Sequence, residues 1–261
     1  MGKVIAVSNL KGGVGKTTTV MNLSAGFVSQ GKSVLCVDAD AQHSLTISFG
    51  VSKPEELSVT LATIMLNIIN GADFDPLCGI IHHSDGIDLL PTNDVLARLE
   101  PALVGLIARE TVLRKYIEMV KQFYDYVIVD CAPSLDLLVV NALAAADEVI
   151  IPVMPRFLDA KGLELLLKTI ATIQQQINTS LSISGILLSM VDKRANFTKD
   201  IITLIENTYG GRIRIFRESI PHSVRAVESS AQGVSIFSYD PNGKVAAAYA
   251  ALTREVLSDV A

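Results

Sequence analysis

Residues 9–19 read NLKGGVGKTTT, and the fold follows from how that stretch is flanked. Before it runs KVIAVS (3–8), a short apolar stretch suited to a fully buried strand. After it, residues 16–30 carry an apolar face through Val20, Leu23, Phe27 and Val28 and end near Gly31, the pattern of a helix. A glycine-rich loop between a strand and a helix is a phosphate cradle. Glycines allow backbone N–H groups to approach oxygens closely, and the helix N-terminus adds partial positive charge. Gly12, Gly13, Val14 and Gly15 form the cradle, Lys16 is placed for the β- and γ-phosphates, Thr17 for Mg²⁺ and Thr18 for the α-phosphate. Lys11 is one cation more than such a loop needs.

Outward from the loop, strand and helix alternate. SVLCVD (33–38), DYVIVD (125–130), EVIIPV (148–153) and ISGILLSMV (183–191) read as further strands. Helical stretches are expected at about 109–122, 135–146, 158–177, 197–208 and 243–257, the last following the turn YDPNG. Strands this apolar, separated by helices, predict an α/β fold: a mostly parallel, twisted sheet with helices on both faces. Segment 51–108 is the least regular, with four prolines and a hairpin-like pair at 79–82 and 87–90. No linker or repeat divides the chain, so residues 1–261 are expected to form a single P-loop NTPase domain.

With 49% hydrophobic and 19% charged residues, the composition is that of a globular protein with a large core. The apolar runs are strand-sized and far short of the ~20 residues that span a bilayer. The N-terminus enters the loop at once, leaving no expected room for a cleavable signal. Cys36 and Cys131 fall in strand-like runs and read as buried free thiols of a reducing compartment; Cys78 has no evident pair, and no disulfide or metal site is assigned. The net charge of −5 argues against a generally basic nucleic-acid binder, yet its distribution is uneven. Residues 51–100 carry a net −6 and residues 193–225 a net +4.

The loop has Leu10 where the ordinary phosphate-loop pattern has its first glycine, and reads K-G-G-x-G-K-T-T instead. This resembles the deviant Walker A signature of the ParA/MinD class of P-loop ATPases. The resemblance implies that Lys11 crosses to the other subunit of an ATP-sandwich homodimer, a role parallel to an arginine finger given in trans. VLCVDADAQ resembles the family's D-x-D-x-Q segment, with Ala41 in place of the usual proline. It implies that Asp40 positions the attacking water and that Asp38 supports Mg²⁺ in the outer shell. YDYVIVDCAPS resembles the Walker B strand, with Asp130 holding Mg²⁺ through water; Ala132 again replaces a common proline. Catalysis then rests on Lys11, Lys16 and Asp40, through positioning and charge stabilisation.

Within the class, SGILLSMVDKRANFTKDI (184–201), EVIIPVMPRFLDAKGLELLLKTI (148–170) and the closing block 219–257 are similar to ParA/Soj proteins, the DNA-partition ATPases. That implies cytoplasmic ATPases that use ATP and Mg²⁺, bind DNA without sequence preference as ATP-bound dimers on the nucleoid, and are stimulated by a ParB-like centromere-binding partner. Arg194 and Arg225 correspond by position to the DNA-binding cations, and both fall in the basic stretch; Lys193, Lys199, Arg212 and Arg214 are weaker candidates. At IPHSVR, many relatives have Arg-Asn where this chain has His222-Ser223, which bears on DNA binding and on the adenine contact expected near Pro221. A MinD-like switch positioning a membrane or protein cargo is the alternative, but the C-terminal helix lacks the basic face and bulky apolar residues suited to lipid. Iron–sulfur transfer and tyrosine-kinase activity lack their cysteine pair and tyrosine cluster.

Overall fold

The computed structural model describes residues 2–155, 157–192 and 194–258, without side chains for 157–160 and 196. Lys193, one of the weaker cation candidates, lies outside the described residues. The chain forms β1 (Lys3–Val7), α1 (Lys16–Ser29), β2 (Val34–Ala39), α2 (Ser44–Ser48), α3 (Leu61–Asn70), β3 (Ile81–His82) and β4 (Asp88–Leu90). Next come α4 (Val95–Val104), α5 (Val112–Val120), β5 (Tyr126–Cys131), α6 (Leu137–Ala145), β6 (Glu148–Val153), α7 (Phe157–Gln176) and β7 (Ser182–Leu188). The last helices are α8 (Asn196–Tyr209), α9 (Val224–Ala231), α10 (Ile236–Tyr239) and α11 (Lys244–Ser258).

Among the described residues the strands make one sheet of order β3-β4-β2-β5-β1-β6-β7. Every pair is parallel except β3 with β4, which run antiparallel as the hairpin-like pair at 79–82 and 87–90 anticipates. β1 lies inside the sheet between β5 and β6; the chain runs from β1 to β2 on one side and later from β5 to β6 on the other, so the carboxyl ends of β1 and β5 lie where such sheets open a ligand crevice. Successive strand residues alternate between two cores. Val4, Ala6, Leu35, Val37, Val127 and Val129 face α3 to α8. Ile5, Val7, Val34, Cys36, Tyr126 and Ile128 face α1, α2, α10 and α11. The predicted two-sided burial of the strands is therefore met, with helices on both faces.

The irregular segment 51–108 holds more structure than its prolines suggest. α3 is capped at Thr60 by a reciprocal bond with Thr63, a pairing of two threonines that replaces the Glu or Gln usually sought as a start signal. α4 continues through Pro101. The helix expected at 109–122 begins as a 3-10 turn, Arg109–Thr111, before α5. The strand expected to reach 191 ends at Leu188, with Val191 making only an isolated bridge to Pro221.

α1 is held between sheet and α11. Phe27 stacks on Tyr126 with ring centroids 4.2 Å apart, and Val20, Leu23 and Phe27 are fully buried. On its other side Gly26 meets Thr253 of α11 so closely that a methyl group there would overlap the threonine hydroxyl. Gly26→Ala should cost about 1–3 kcal/mol through overpacking. At this chain length that is a drop of roughly 2–4 °C in melting temperature per kcal/mol, measurable by calorimetry.

Candidate nucleotide-binding site

The loop between β1 and α1 is shaped by backbone that only glycine adopts at ease. Gly13 has φ 71° and Gly15, the N-cap of α1, has φ 85°, both in the left-handed region. A Cβ on Gly12 or Gly13 would meet nothing within 4 Å, so the loop's outer side is open. Its inner side is tied down at three points. Asn9 Nδ2 donates to Pro152 O at 2.7 Å, Lys11 N–H to Asn9 Oδ1 at 3.1 Å, and Ser189 Oγ to Val14 O at 2.7 Å. Sequence reasoning missed Ser189, whose partner lies 175 positions away.

Lys16 and Thr17 are the first two residues of α1. Lys16 is buried, and burial pulls its ammonium below the ordinary lysine range against the attraction of Asp130. Its Nζ donates to the carbonyl of Lys11 at 3.1 Å, so the two lysines of the loop are already linked within one chain, through backbone. Lys11 itself is half-buried at the start of the loop.

The carboxylates come together through strand register. β2 and β5 pair in parallel with Asp38 beside Asp130, and alternation places both on the face that carries α1. Both are fully buried. Burial raises Asp38 to about 6, opposed by bonds from Thr46 and from Asp40 N–H. Burial first, and then the Asp38 charge, raise Asp130 well above the usual carboxylate range. Asp130 Oδ2 accepts from Thr17 Oγ1 at 2.7 Å, while its Oδ1 is buried with no hydrogen-bond partner. An orphaned carboxylate oxygen beside a threonine hydroxyl is a donor set suited to a hard divalent cation. Asp38 differs: Oδ1 accepts from Asp40 N–H at 3.2 Å, and Oδ2 accepts from both the N–H and hydroxyl of Thr46. Asp40, largely buried just past β2, accepts from Gln42 N–H at 2.9 Å.

Beyond the loop, Gly15 and Thr18 line a partly open cavity of about 160 Å³ with Met190, Pro221, His222, Ser223 and Tyr249. The structure brings Pro221 across this cavity from Gly15 and Thr18 of the loop. Ser223 N-caps α9, accepting from Arg225 N–H, so one short segment both borders the cavity and launches the helix bearing Arg225. Arg194 is exposed and lines an adjoining cleft with Pro221, His222 and Lys244. Arg225 is exposed too, though partly engaged, 3.6 Å from Glu228 and over the Tyr239 ring. Of the weaker candidates, Arg214 pairs with Glu255 at 2.8 Å, whereas Lys199 and Arg212 are exposed. Three of the acidic residues of 51–100 are used internally: Asp85 accepts from Ser235 and Ser238, Asp88 from Tyr124, and Glu100 from Leu137 N–H; Glu55, Glu56, Asp73, Asp75 and Asp94 are exposed.

A glycine loop opening a helix at the end of an interior parallel strand, with lysine and threonine leading that helix and a buried aspartate on the strand paired beside it, defines a P-loop nucleotide-binding protein. The AAA domain family profile matches residues 2–183, and this chain belongs to that family and to its ParA/Soj-type ATPases. It is 39% identical over 259 residues to the sporulation initiation inhibitor protein Soj of Bacillus subtilis, covering 99% of this chain and 100% of that one. It is 34% identical over 266 residues to the chromosome-partitioning ATPase Soj of Treponema pallidum, covering 99% and 98%. A crystal structure described as cobyrinic acid a,c-diamide synthase from Mycobacterium smegmatis, with bound ATP analog and magnesium, superposes with a TM-score of 0.88. It is 32% identical and covers 100% of this chain and 96% of its own.

The carboxylate cluster has a cost in the nucleotide-free state. Asp130 binds its proton more tightly folded than unfolded, so the stability it contributes is fully present below about pH 4 and lost as pH rises through its raised native value. Asp130→Asn keeps the shape without the charge. It should raise the melting temperature of nucleotide-free protein by a few degrees at neutral pH, on the scale of about 1 kcal/mol, and leave it unchanged near pH 4. The same substitution should weaken Mg²⁺-dependent ATP turnover at least tenfold. A neutral-pH melting temperature equal to or below wild type would contradict the charge argument.

Proposed function

We propose that this chain, as one domain over residues 1–261, is an ATP-operated DNA-segregation switch. The observation that carries the reading is the meeting of Lys16, Thr17, Asp130, Asp38 and Asp40 at the ends of β1, β2 and β5, in a chain similar end to end to proteins named for chromosome partitioning. Gly12, Gly13, Val14 and Gly15 would cradle the phosphates of ATP, with Lys16 on the β- and γ-phosphates and Thr18 on the α-phosphate. The nucleoside would extend toward Pro221. Thr17 and Asp130 would hold Mg²⁺, with Asp38 behind them, and the ion supplies charge neutralisation on the phosphates when bound.

Asp40 would orient the attacking water, its carboxylate set by the turn at the end of β2. Lys11 would reach the phosphates of the partner subunit in an ATP-sandwich homodimer. The physical case for that role starts from Lys16 Nζ resting on the Lys11 carbonyl. Polyphosphate would draw the Lys16 ammonium off that carbonyl and neutralise a loop that otherwise holds two cations five residues apart, favouring a dimer that the empty protein resists. The dimer would bind double-stranded DNA without sequence preference through Arg194 and Arg225, which flank the Pro221–Ser223 segment at the nucleoside end. A ParB-like partner would stimulate slow hydrolysis and release the dimer from the nucleoid into the cytoplasm. Among the described residues no helix is long and apolar enough to cross a membrane.

DNA retention by Asp40→Ala protein, with ATP or ADP across a salt series, tests the switch. Retention is expected with ATP only, with a log–log salt slope that becomes about 1 unit shallower for each DNA phosphate that Arg225→Ala leaves unneutralised. No retention by demonstrably dimeric, ATP-loaded protein would reject DNA as the cargo surface. Lys11→Ala should bind ATP as a monomer with wild-type affinity and fail to dimerise in size-exclusion chromatography. Normal ATP-dependent dimerisation of that variant would reject the trans role.

A further inference from the structure

Asp40 lies just beyond β2, where sheet hydrogen bonding no longer constrains it, so its carboxylate is aimed by local bonds. Gln42 N–H donates to its Oδ1 at 2.9 Å, and His43 N–H donates to its carbonyl at 2.8 Å. Its own N–H donates to Asp38 Oδ1 at 3.2 Å. That last bond passes to Asp40 whatever orients Asp38. The other oxygen of Asp38 is gripped by one residue twice: Thr46 donates its N–H at 2.8 Å and its hydroxyl at 2.7 Å.

Thr46 is in turn held from outside. A hydroxyl that gives its proton to Asp38 keeps lone pairs for a donor, and Thr92 N–H, just past β4, reaches Thr46 Oγ1 at 3.0 Å. All of these groups are buried, so water cannot replace a lost bond cheaply. α2 has only five residues and is too short to persist alone. Asp38 satisfies one of its first-turn N–H groups from a neighbouring element, where a local N-cap would ordinarily do so.

We propose that Thr46 is a positioning residue for hydrolysis, fixing Asp40 through Asp38 by the relay Thr92 N–H to Thr46 Oγ1 to Asp38 to Asp40 N–H. The inference rests on the reading of Asp40 as the water-orienting group. It assigns to the 88–92 segment, otherwise remote from the phosphates, a part in setting the hydrolysis rate. A carboxylate shifted by about 1 Å is enough to slow such a reaction up to about a hundredfold without altering affinity for the nucleotide.

Thr46→Val keeps the branched shape and the N–H but removes the hydroxyl, whereas Thr46→Ser keeps the hydroxyl. For Thr46→Val, kcat for ATP should fall at least tenfold. Its affinity for a fluorescent ATP analogue with Mg²⁺ should stay within twofold of wild type. The ATP-bound dimer should persist in size-exclusion chromatography, as is expected of Asp40→Ala. Thr46→Ser should restore kcat to within about threefold. Thr46→Cys, with a weak donor, should fall between them and supplies the comparison with Ser if the valine variant does not fold. Wild-type kcat in Thr46→Val, an equal loss in Thr46→Ser, or a loss of affinity parallel to that of kcat would each overturn the proposal. Asp40→Ala in the same assays separates the two readings. Wild-type turnover in that variant would remove the role of Asp40 itself. An inactive Asp40→Ala beside a fully active Thr46→Val would remove only the role of Thr46.

Discussion

Asp38 and Asp130 stand side by side at the ends of paired parallel strands, fully buried, with Asp40 and the buried Lys16 close enough to shift their protonation. Taking like charges out of water and placing them together is unfavourable, and each member needs bonds that hold it in place. Thr17 from α1 supplies one on Asp130, and Thr46 from α2 supplies two on Asp38. The positions of α1 and α2 relative to the sheet are therefore bound up with neutralising this cluster. So is the placement of the phosphate loop, because Lys16 and Thr17 open α1 immediately after Gly15.

The arrangement is suited to a ligand carrying both a metal ion and several negative oxygens. Asp130 Oδ1 lacks a partner, and Lys16 rests on a backbone carbonyl as a substitute acceptor. A divalent ion would satisfy the first, and a phosphate would offer Lys16 a stronger acceptor than the carbonyl.

The opposite end of the ligand crevice is built from the C-terminal segment. Val191 bridges to Pro221, Ser189 anchors the phosphate loop, and Ser223 caps the helix that displays Arg225. Arg225, however, shares its charge with Glu228 and Tyr239, so a DNA phosphate would compete with an existing exposed pair rather than meet an uncommitted cation. Exposed pairs of this kind are worth little, typically about 0–1 kcal/mol, and exchange is therefore easy. His222 lines the cleft shared by Arg194 and Lys244, which also carries Asp192 and Glu218, so the two cations there stand among two carboxylates.

The chain by itself determined the strand–loop–helix nucleotide unit, the parallel core strands, the two-sided helical cover and the residues of the phosphate loop. These were legible because they rest on short-range rules: glycines at positive φ, apolar runs of strand length, and a 3.6-residue period in α1. Tertiary structure decided what lies between the motifs. α3 and α4 were hidden by prolines and by a threonine pair serving as cap. The pairing of Asp38 with Asp130 follows from strand order, which periodicity does not encode. The tethering of Val14 by Ser189, and of Asp38 by Thr46 and Thr92, depends on side chains brought together only when the sheet is assembled. A carboxylate in a sequence motif states which chemistry is available; its neighbours across the strands set its proton affinity and the direction it faces.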